Sequence, residues 1–299
     1  MRVLITGVNG QLGWELVRQH RPGAIDMAAF SHSELDITDS AQVAEAFDRH
    51  RPVLAINAAA YTLVDKAETQ TETAFAVNRD GPAYLAASCG RLDIPLIHIS
   101  TDFVFDGQKG APYLETDPIS PVSVYGQSKA AGEAQLRSGL QKHVIIRTAW
   151  VYGVHGNNFV KTMIRLARER DEVRVVADQY GSPTSAADLA SAIWTVVDSI
   201  LQGRETTWGT YHFCGSGVTT WYGLAAAVIE RAGRHTPLKT DRVTPITTAE
   251  YPTPARRPPY SVLDCGRIEE RFGIQPRFWE ESVHTAVDRM FSEGEFSAE

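Results

Sequence analysis

The first half of the chain alternates short apolar runs with amphipathic helical patterns. Residues 3–6 form a nearly continuous apolar run, the pattern of a strand covered on both faces. Residues 11–20 then read as a helix and 25–30 as a second strand. A helix follows over 40–51, with Val43, Ala46 and Phe47 on one face and Thr38 and Asp39 as capping candidates. Strands are predicted at 53–57, 95–100 and 143–148, with helices between them over 71–77, 81–91 and 123–140. Strands alternating with helices imply βαβ units, a parallel sheet and a ligand crevice at the strands' C-terminal ends. After Trp150 the rhythm loosens. Helices are predicted over 157–170, 186–201 and 220–232, the last stopped by Gly233, before a Pro/Thr-rich stretch over 236–259. The expectation is a sheet domain over 1–150 and a smaller lobe over 151–299 that covers the crevice. Whether some segments of that lobe return to the first domain is left open.

Composition narrows the class. The 299 residues include 43% apolar and 22% charged positions, which suits a globular protein and not a disordered one. The net charge of −7 argues against a nucleic-acid partner, because no basic surplus exists to neutralise phosphates. No apolar run approaches the length of a membrane span, about 18 residues. The N-terminal MRVLITGVNG lacks the length and cleavage site of a signal peptide. Cys89, Cys214 and Cys265 are far apart and form no CxxC pair, which points to reduced thiols in the cytoplasm. The histidines are scattered, and no metal is expected.

Candidate chemistry begins where the first strand runs into Gly7-Val8-Asn9-Gly10-Gln11-Leu12-Gly13. Glycines permit a tight turn close to a pyrophosphate, and the following helix offers free N–H groups and the positive end of its dipole. This predicts a dinucleotide site. After the second strand stand Ser31 and His32, with no carboxylate until Glu34, which points to NADPH or to acceptance of NADH as well. Asp36 and Ile37 are candidates for the adenine end, and a helix-capping role for Asp36 is as good a reading. Tyr125 and Lys129 lie four apart on one helix, where an ammonium lowers a phenol's pKa. Upstream, a strand ends in Ile99-Ser100-Thr101-Asp102. Strand alternation lets only one of Ser100 and Thr101 point into the crevice.

Together these residues resemble an extended short-chain dehydrogenase/reductase with a Rossmann-like, doubly wound α/β sheet and a smaller C-terminal α/β substrate lobe. The segments TGVNGQLG, NAAAYTLVDKAE, VNRDG, ISTDFVFDG, YGQSKAAGE, RTAWVYG, GNNFVKTM, VADQYGSPT and RRPPYSVLD resemble the dTDP-4-dehydrorhamnose reductase family in order and spacing. The resemblance runs from residue 2 to about 264, and the remainder matches loosely. It implies that Thr101 hydrogen-bonds the sugar's C4 carbonyl, that Tyr125 protonates that oxygen, and that Lys129 holds the nicotinamide ribose. It further implies that Gly10, Gln11 and Leu12 line the pyrophosphate, with Gly7 and Gly13 in the same cofactor-binding turn, and that Asp36 and Ile37 line the adenine end. Ala60, Tyr61 and Thr62 would contact the cofactor, and Asp102 and Trp150 the deoxysugar. The implied product is dTDP-L-rhamnose, made by NAD(P)H-dependent reduction for surface polysaccharide.

Asn158 could bind the diphosphate or cap a helix. Arg256 and Arg257 could grip the diphosphate through planar forks, or form a solvated basic pair. Gln179, Gly181 and Pro183 are expected to shape the pocket wall. Trp150 is also a candidate for plain core. The superfamily's habit of pairing through helices suggests a homodimer. A 4,6-dehydratase would need a second carboxylate after Asp102, where Phe103 stands instead, and the family-specific segments disfavour a 4-epimerase. The remaining alternatives are a reductase of another 4-keto-6-deoxysugar nucleotide, and a non-catalytic NADP-binding regulatory subunit like the methionine adenosyltransferase beta subunit.

Overall fold

The computed structural model describes residues 1–19, 25–204 and 208–296. Strand β1 (Arg2–Thr6) leads through α1 (Gln11–Arg18) to β2 (Asp26–Phe30), and α2 (Ser40–His50) leads to β3 (Leu54–Asn57). Residue 20, the last of the predicted first helix, lies outside the described residues. Asp39, not Thr38, caps α2: its carboxylate accepts the amides of Ala41 and Gln42. Short helices α3 (Val64–Ala67) and α4 (Thr71–Phe75) follow, and a π turn over Ala76–Asp80 runs directly into α5 (Gly81–Leu92). Strand β4 (Leu96–Thr101), α6 (Val124–Gly139) and β5 (His143–Thr148) complete the series.

Every pairing in the main sheet is parallel, in the order β2-β1-β3-β4-β5-β10. The chain moves one way from β1 to β2 and then crosses to the other side for β3. The connections above β1 and β3 therefore diverge and leave a crevice at the strands' C-terminal ends. Alternation along β1 explains its apolar run. Val3 and Ile5 face α1 and α8, while Leu4 faces the core built from Val43, Phe47, Leu85 and Leu136. All of these are fully buried, each contributing about 1.5–3 kcal/mol of transfer free energy.

The second half holds β6 (Val151–Tyr152), α7 (Phe159–Glu169), β7 (Glu172–Val176), β8 (Tyr180–Gly181) and β9 (Thr184–Ser185). It continues through α8 (Ala186–Leu201), β10 (Gly209–His212), β11 (Thr219–Thr220), α9 (Trp221–Ala232), β12 (Arg242–Ile246), α10 (Gly266–Phe272) and α11 (Trp279–Ser292). Strand β10 pairs with β5 at the sheet edge, and α8 packs on α1, where Trp194 Nε1 donates to the Leu16 carbonyl at 3.1 Å. Helix α10 joins the core beneath α1 and α8 through Ile268, while α7, β7, α9 and α11 enclose a second core of Val160, Ile164, Val173, Val228, Val283 and Met290. Gly233 caps the C-terminus of α9 with φ of −60°, so it stops the helix without a left-handed turn. Among the described residues, no helix is long and apolar enough to cross a membrane.

Candidate active site

The glycine turn sits at the divergence of β1 and β3. Gly7 has φ of +77°, and a Cβ there would lie 2.5 Å from the Ala59 amide nitrogen, so β3 can approach only a glycine. A Cβ on Gly13 would lie 2.2 Å from the Gly7 carbonyl oxygen, so α1 could not seat its first turn against the loop. Gly10 caps α1 without a side-chain hydrogen bond, which leaves the helix's first N–H groups facing the cavity. At the end of β2, Glu34 turns back on Ser31 and accepts from its amide (2.8 Å) and hydroxyl (2.7 Å). One oxygen of the nearest carboxylate is thereby engaged. Asp36 lines the cavity and accepts from the Thr38 amide and hydroxyl in the loop before α2, so it does not cap that helix, which Asp39 does. Ile37 lies beside it, packed so close to Gly81 that a Cβ there would come within 2.6 Å of its side chain.

Helix α6 supplies the reactive pair. Ser123 caps it by accepting the Gly126 amide, and Gly126 presses on the Phe103 carbonyl, where a Cβ would come within 2.2 Å. That contact brings Tyr125 over the end of β4. Thr101 Oγ1 faces Tyr125 and donates to Asp102 Oδ1 at 2.9 Å, whereas Ser100 lies against Glu133. Both residues line the cavity, and the Thr101 hydroxyl is the one turned to Tyr125. Asp102 is buried, its Oδ2 has no hydrogen-bond partner, and burial pushes its carboxyl up to about 6. The Tyr125 hydroxyl departs from expectation. Burial, with the nearby Asp102 charge, pushes it up to about 12, against a smaller pull from Thr101. Lys129 does not lower it, because its Nζ points to the Ile99 carbonyl (2.6 Å) and toward His98 Nε2 (3.4 Å).

The cavity has a volume of about 1320 Å3 and brings Gly7, Gly10, Gln11 and Leu12 together with Asp36, Ile37, Ala60, Tyr61, Thr62, Thr101, Asp102, Tyr125, Lys129, Trp150, Asn158 and Arg257. Gly13 lies beneath it. Trp150, with φ of +49°, stacks on Trp221 with ring centroids 3.6 Å apart and covers Gly181. Gln179 accepts from Trp221 Nε1 and holds the second ring in place. Trp221 carried no sequence signal beyond its position at the start of a helix. Asn158 caps α7 through Oδ1 and gives both amide hydrogens to Gln11 Oε1 (3.0 Å) and the Gly153 carbonyl (2.7 Å). Its donors are used inside the wall. Arg257 forks onto Asp65 at 2.8 and 3.1 Å, while Arg256 is exposed. Asn78, in the VNRDG segment, was assigned no role from sequence. Its side chain pairs with both the amide and the carbonyl of Tyr61 and donates to Ser128 on α6. Among the described residues, no group of three or more His, Cys, Asp or Glu could hold a metal ion.

A glycine turn at the switch point of a parallel sheet, with threonine, tyrosine and lysine facing one cavity, defines a Rossmann-like dehydrogenase/reductase. Residues 1–292 match the family described as RmlD substrate binding domain, and the chain belongs to it. It is 45% identical to a dTDP-4-dehydrorhamnose reductase of Aggregatibacter actinomycetemcomitans, over 94% of this chain and 97% of that protein. A crystal structure of a dTDP-4-dehydrorhamnose reductase from Clostridium acetobutylicum superposes with a TM-score of 0.91 at 40% identity, covering 97% of this chain and all of that one. The Bacillus anthracis reductase, solved in complex with NADP, gives 0.89 at 39% identity, covering 98% and 99% of the two chains.

Proposed function

We propose that this chain is an NADPH-dependent reductase that converts dTDP-4-dehydro-β-L-rhamnose to dTDP-L-rhamnose. The observation that carries the reading is the meeting of Thr101, Asp102, Tyr125 and Lys129 on one cavity that also reaches the glycine turn. Its volume exceeds the roughly 300–1,000 Å3 of a single-ligand pocket, as a dinucleotide and a sugar nucleotide together require.

NADPH, when bound, supplies the hydride that adds to C4. The chain's residues do the rest. Gly7, Gly10, Gln11, Leu12 and Gly13 form the pyrophosphate cradle, with Asp36 and Ile37 at the adenine and Ala60, Tyr61 and Thr62 along the cofactor. The NADP bound to the Bacillus anthracis reductase, 39% identical to this chain, supports NADPH as the cofactor. Thr101 and Tyr125 donate to the C4 oxygen, and Tyr125 delivers its proton as the alkoxide forms. A phenol held firmly protonated until that moment suits an acid for reduction. Lys129 holds the ribose hydroxyls and stabilises the tyrosinate left behind. The unpartnered Asp102 Oδ2 accepts a sugar hydroxyl, and Trp150 offers a flat face to the deoxysugar. Asn158 acts at the diphosphate end by fixing Gln11, and Arg257 reaches the diphosphate by exchanging part of its Asp65 pairing.

Residues 1–150 are proposed as the cofactor domain. Residues 151–299 are proposed mainly as the sugar-nucleotide lobe, with α8 and β10 returned to the first sheet. A homodimer in the cytoplasm completes the proposal. Dehydration is disfavoured, since the Phe103 ring stands edge-on to Tyr125, 5.5 Å away, where a second carboxylate would be needed.

The test is NADPH oxidation, with NADH in parallel, on dTDP-4-dehydro-L-rhamnose generated in situ. The expected result is turnover by this chain alone with formation of dTDP-rhamnose. Binding of NADPH without turnover would point to another keto sugar or to a regulatory subunit.

A further inference from the structure

His98 is a buried titratable group that this mechanism leaves unused. It lies on β4, is fully buried, and its ring reaches Lys129. Its Nδ1 is 3.0 Å from Asn57 Nδ2 and its Nε2 is 3.4 Å from Lys129 Nζ. The orientation of Asn57 is fixed by its other contacts. The Ala59 backbone N–H can only donate, and it meets Asn57 Oδ1 at 3.1 Å, as does the Thr6 hydroxyl at 2.7 Å. The Asn57 amide nitrogen therefore faces the imidazole, and His98 Nδ1 must accept. A neutral imidazole with Nδ1 accepting carries its proton on Nε2, aimed at Lys129.

We propose that His98 is a positioning residue for Lys129. Locked by Asn57 as the neutral Nε2–H tautomer, it donates to the lysine amine and favours the uncharged form. A neutral amine accepts from His98 through its lone pair, donates to the Ile99 carbonyl, and keeps its second N–H for the cavity. An ammonium would direct a third N–H against the imidazole N–H. His98 thus sets the cost of charging the amine, and it fixes the amine's rotation in the neutral form. This rests on the reading of the cavity as the NADPH site.

The charged surroundings agree. Burial holds Lys129 down at about 8, against a smaller upward pull from Glu133. Burial and the Lys129 charge hold His98 well below the usual imidazole range. Glu133 is itself forked by Arg147 from β5 and paired with Arg137. Tyr125 lies one turn back on α6, and Asp102 acts on it from the end of β4. In the π turn, Arg79 and Asp80 pair with each other, and Glu72 of α4 lines the cavity. Among these groups, His98 alone presents a neutral donor to Nζ.

Three variants test this: His98→Leu, which cannot donate; His98→Gln, whose amide can accept from Asn57 and donate to Lys129; and Asn57→Asp, which makes His98 carry its proton on Nδ1 and accept from Lys129. Two readouts are followed against pH: kcat/KM for the keto sugar, and NADPH affinity by fluorescence titration, which needs no turnover. The unsubstituted chain should lose both as pH rises through about 8. His98→Leu and Asn57→Asp should move that alkaline limb upward, on the order of one pH unit. His98→Gln should return it to within a few tenths of a unit of the original. A limb that stays put in both His98→Leu and Asn57→Asp overturns the proposal. The shift in NADPH affinity without any turnover would support His98's role while refuting the assigned reaction.

Discussion

Asp102→Asn removes a carboxylate that the fold buries with one oxygen unpartnered. Its pKa rises from the ordinary 3.8 to about 6, chiefly by desolvation, with Ser261 and Thr101 pulling the other way. At 1.36 kcal/mol per unit, ionising it in the folded state costs about 3 kcal/mol. The sign follows from linkage. A carboxyl with a raised folded pKa contributes stability that is fully present below 3.8 and is lost as pH rises through about 6. Asparagine keeps an acceptor for Thr101 and never ionises. The variant should therefore exceed the parent in unfolding free energy by about 3 kcal/mol at pH 8 and by about half of that at pH 5. The excess should vanish toward pH 3 apart from a constant offset. Urea unfolding of both proteins across this range measures the difference directly. A difference that stays flat from pH 5 to pH 8 would refute the buried carboxylate with a raised pKa. In the same variant the keto sugar's KM should rise, because an acceptor for its hydroxyl is weakened.

Tyr125→Phe should lower kcat by on the order of 10²–10⁴-fold while leaving NADPH affinity nearly unchanged, and an unaltered kcat would mean another acid acts. Gly13→Ala should weaken NADPH binding at least tenfold and cost about 1–3 kcal/mol in urea unfolding, because its Cβ has no room beside the Gly7 carbonyl. Arg147→Met should cost about 3–5 kcal/mol by leaving Glu133 buried and without its main partner. Adding Glu133→Gln should recover much of that loss, and strict additivity of the two changes would count against a coupled pair.

Much of the sheet domain was legible because its determinants are local. The apolar runs of β1, β3, β4 and β5 and the period of α2 and α6 carry their own signals, and the glycine turn announces itself by spacing. The hydroxyl at the end of β4 and the tyrosine and lysine one helical turn apart are equally local. Other features rest on contacts between distant parts of the chain. Strand β10 is four residues long and becomes a strand by pairing with β5, some sixty residues earlier. Strands β7 and β12 define each other, although Pro245 weakens the second as a strand in isolation. Trp221 became part of the wall only when α9 laid it on Trp150, and Arg257 found Asp65 across 192 positions of sequence. The direction of the Tyr125 shift had the same origin. Spacing along one helix suggested an ammonium at the phenol, but the packed structure buries Tyr125 and turns Lys129 toward His98 and the Ile99 carbonyl. Residue identity and spacing along the chain determined which groups could do the chemistry. Their protonation, partners and solvent access were decided by the tertiary structure, because desolvation and long-range hydrogen bonds exist only once the elements have packed.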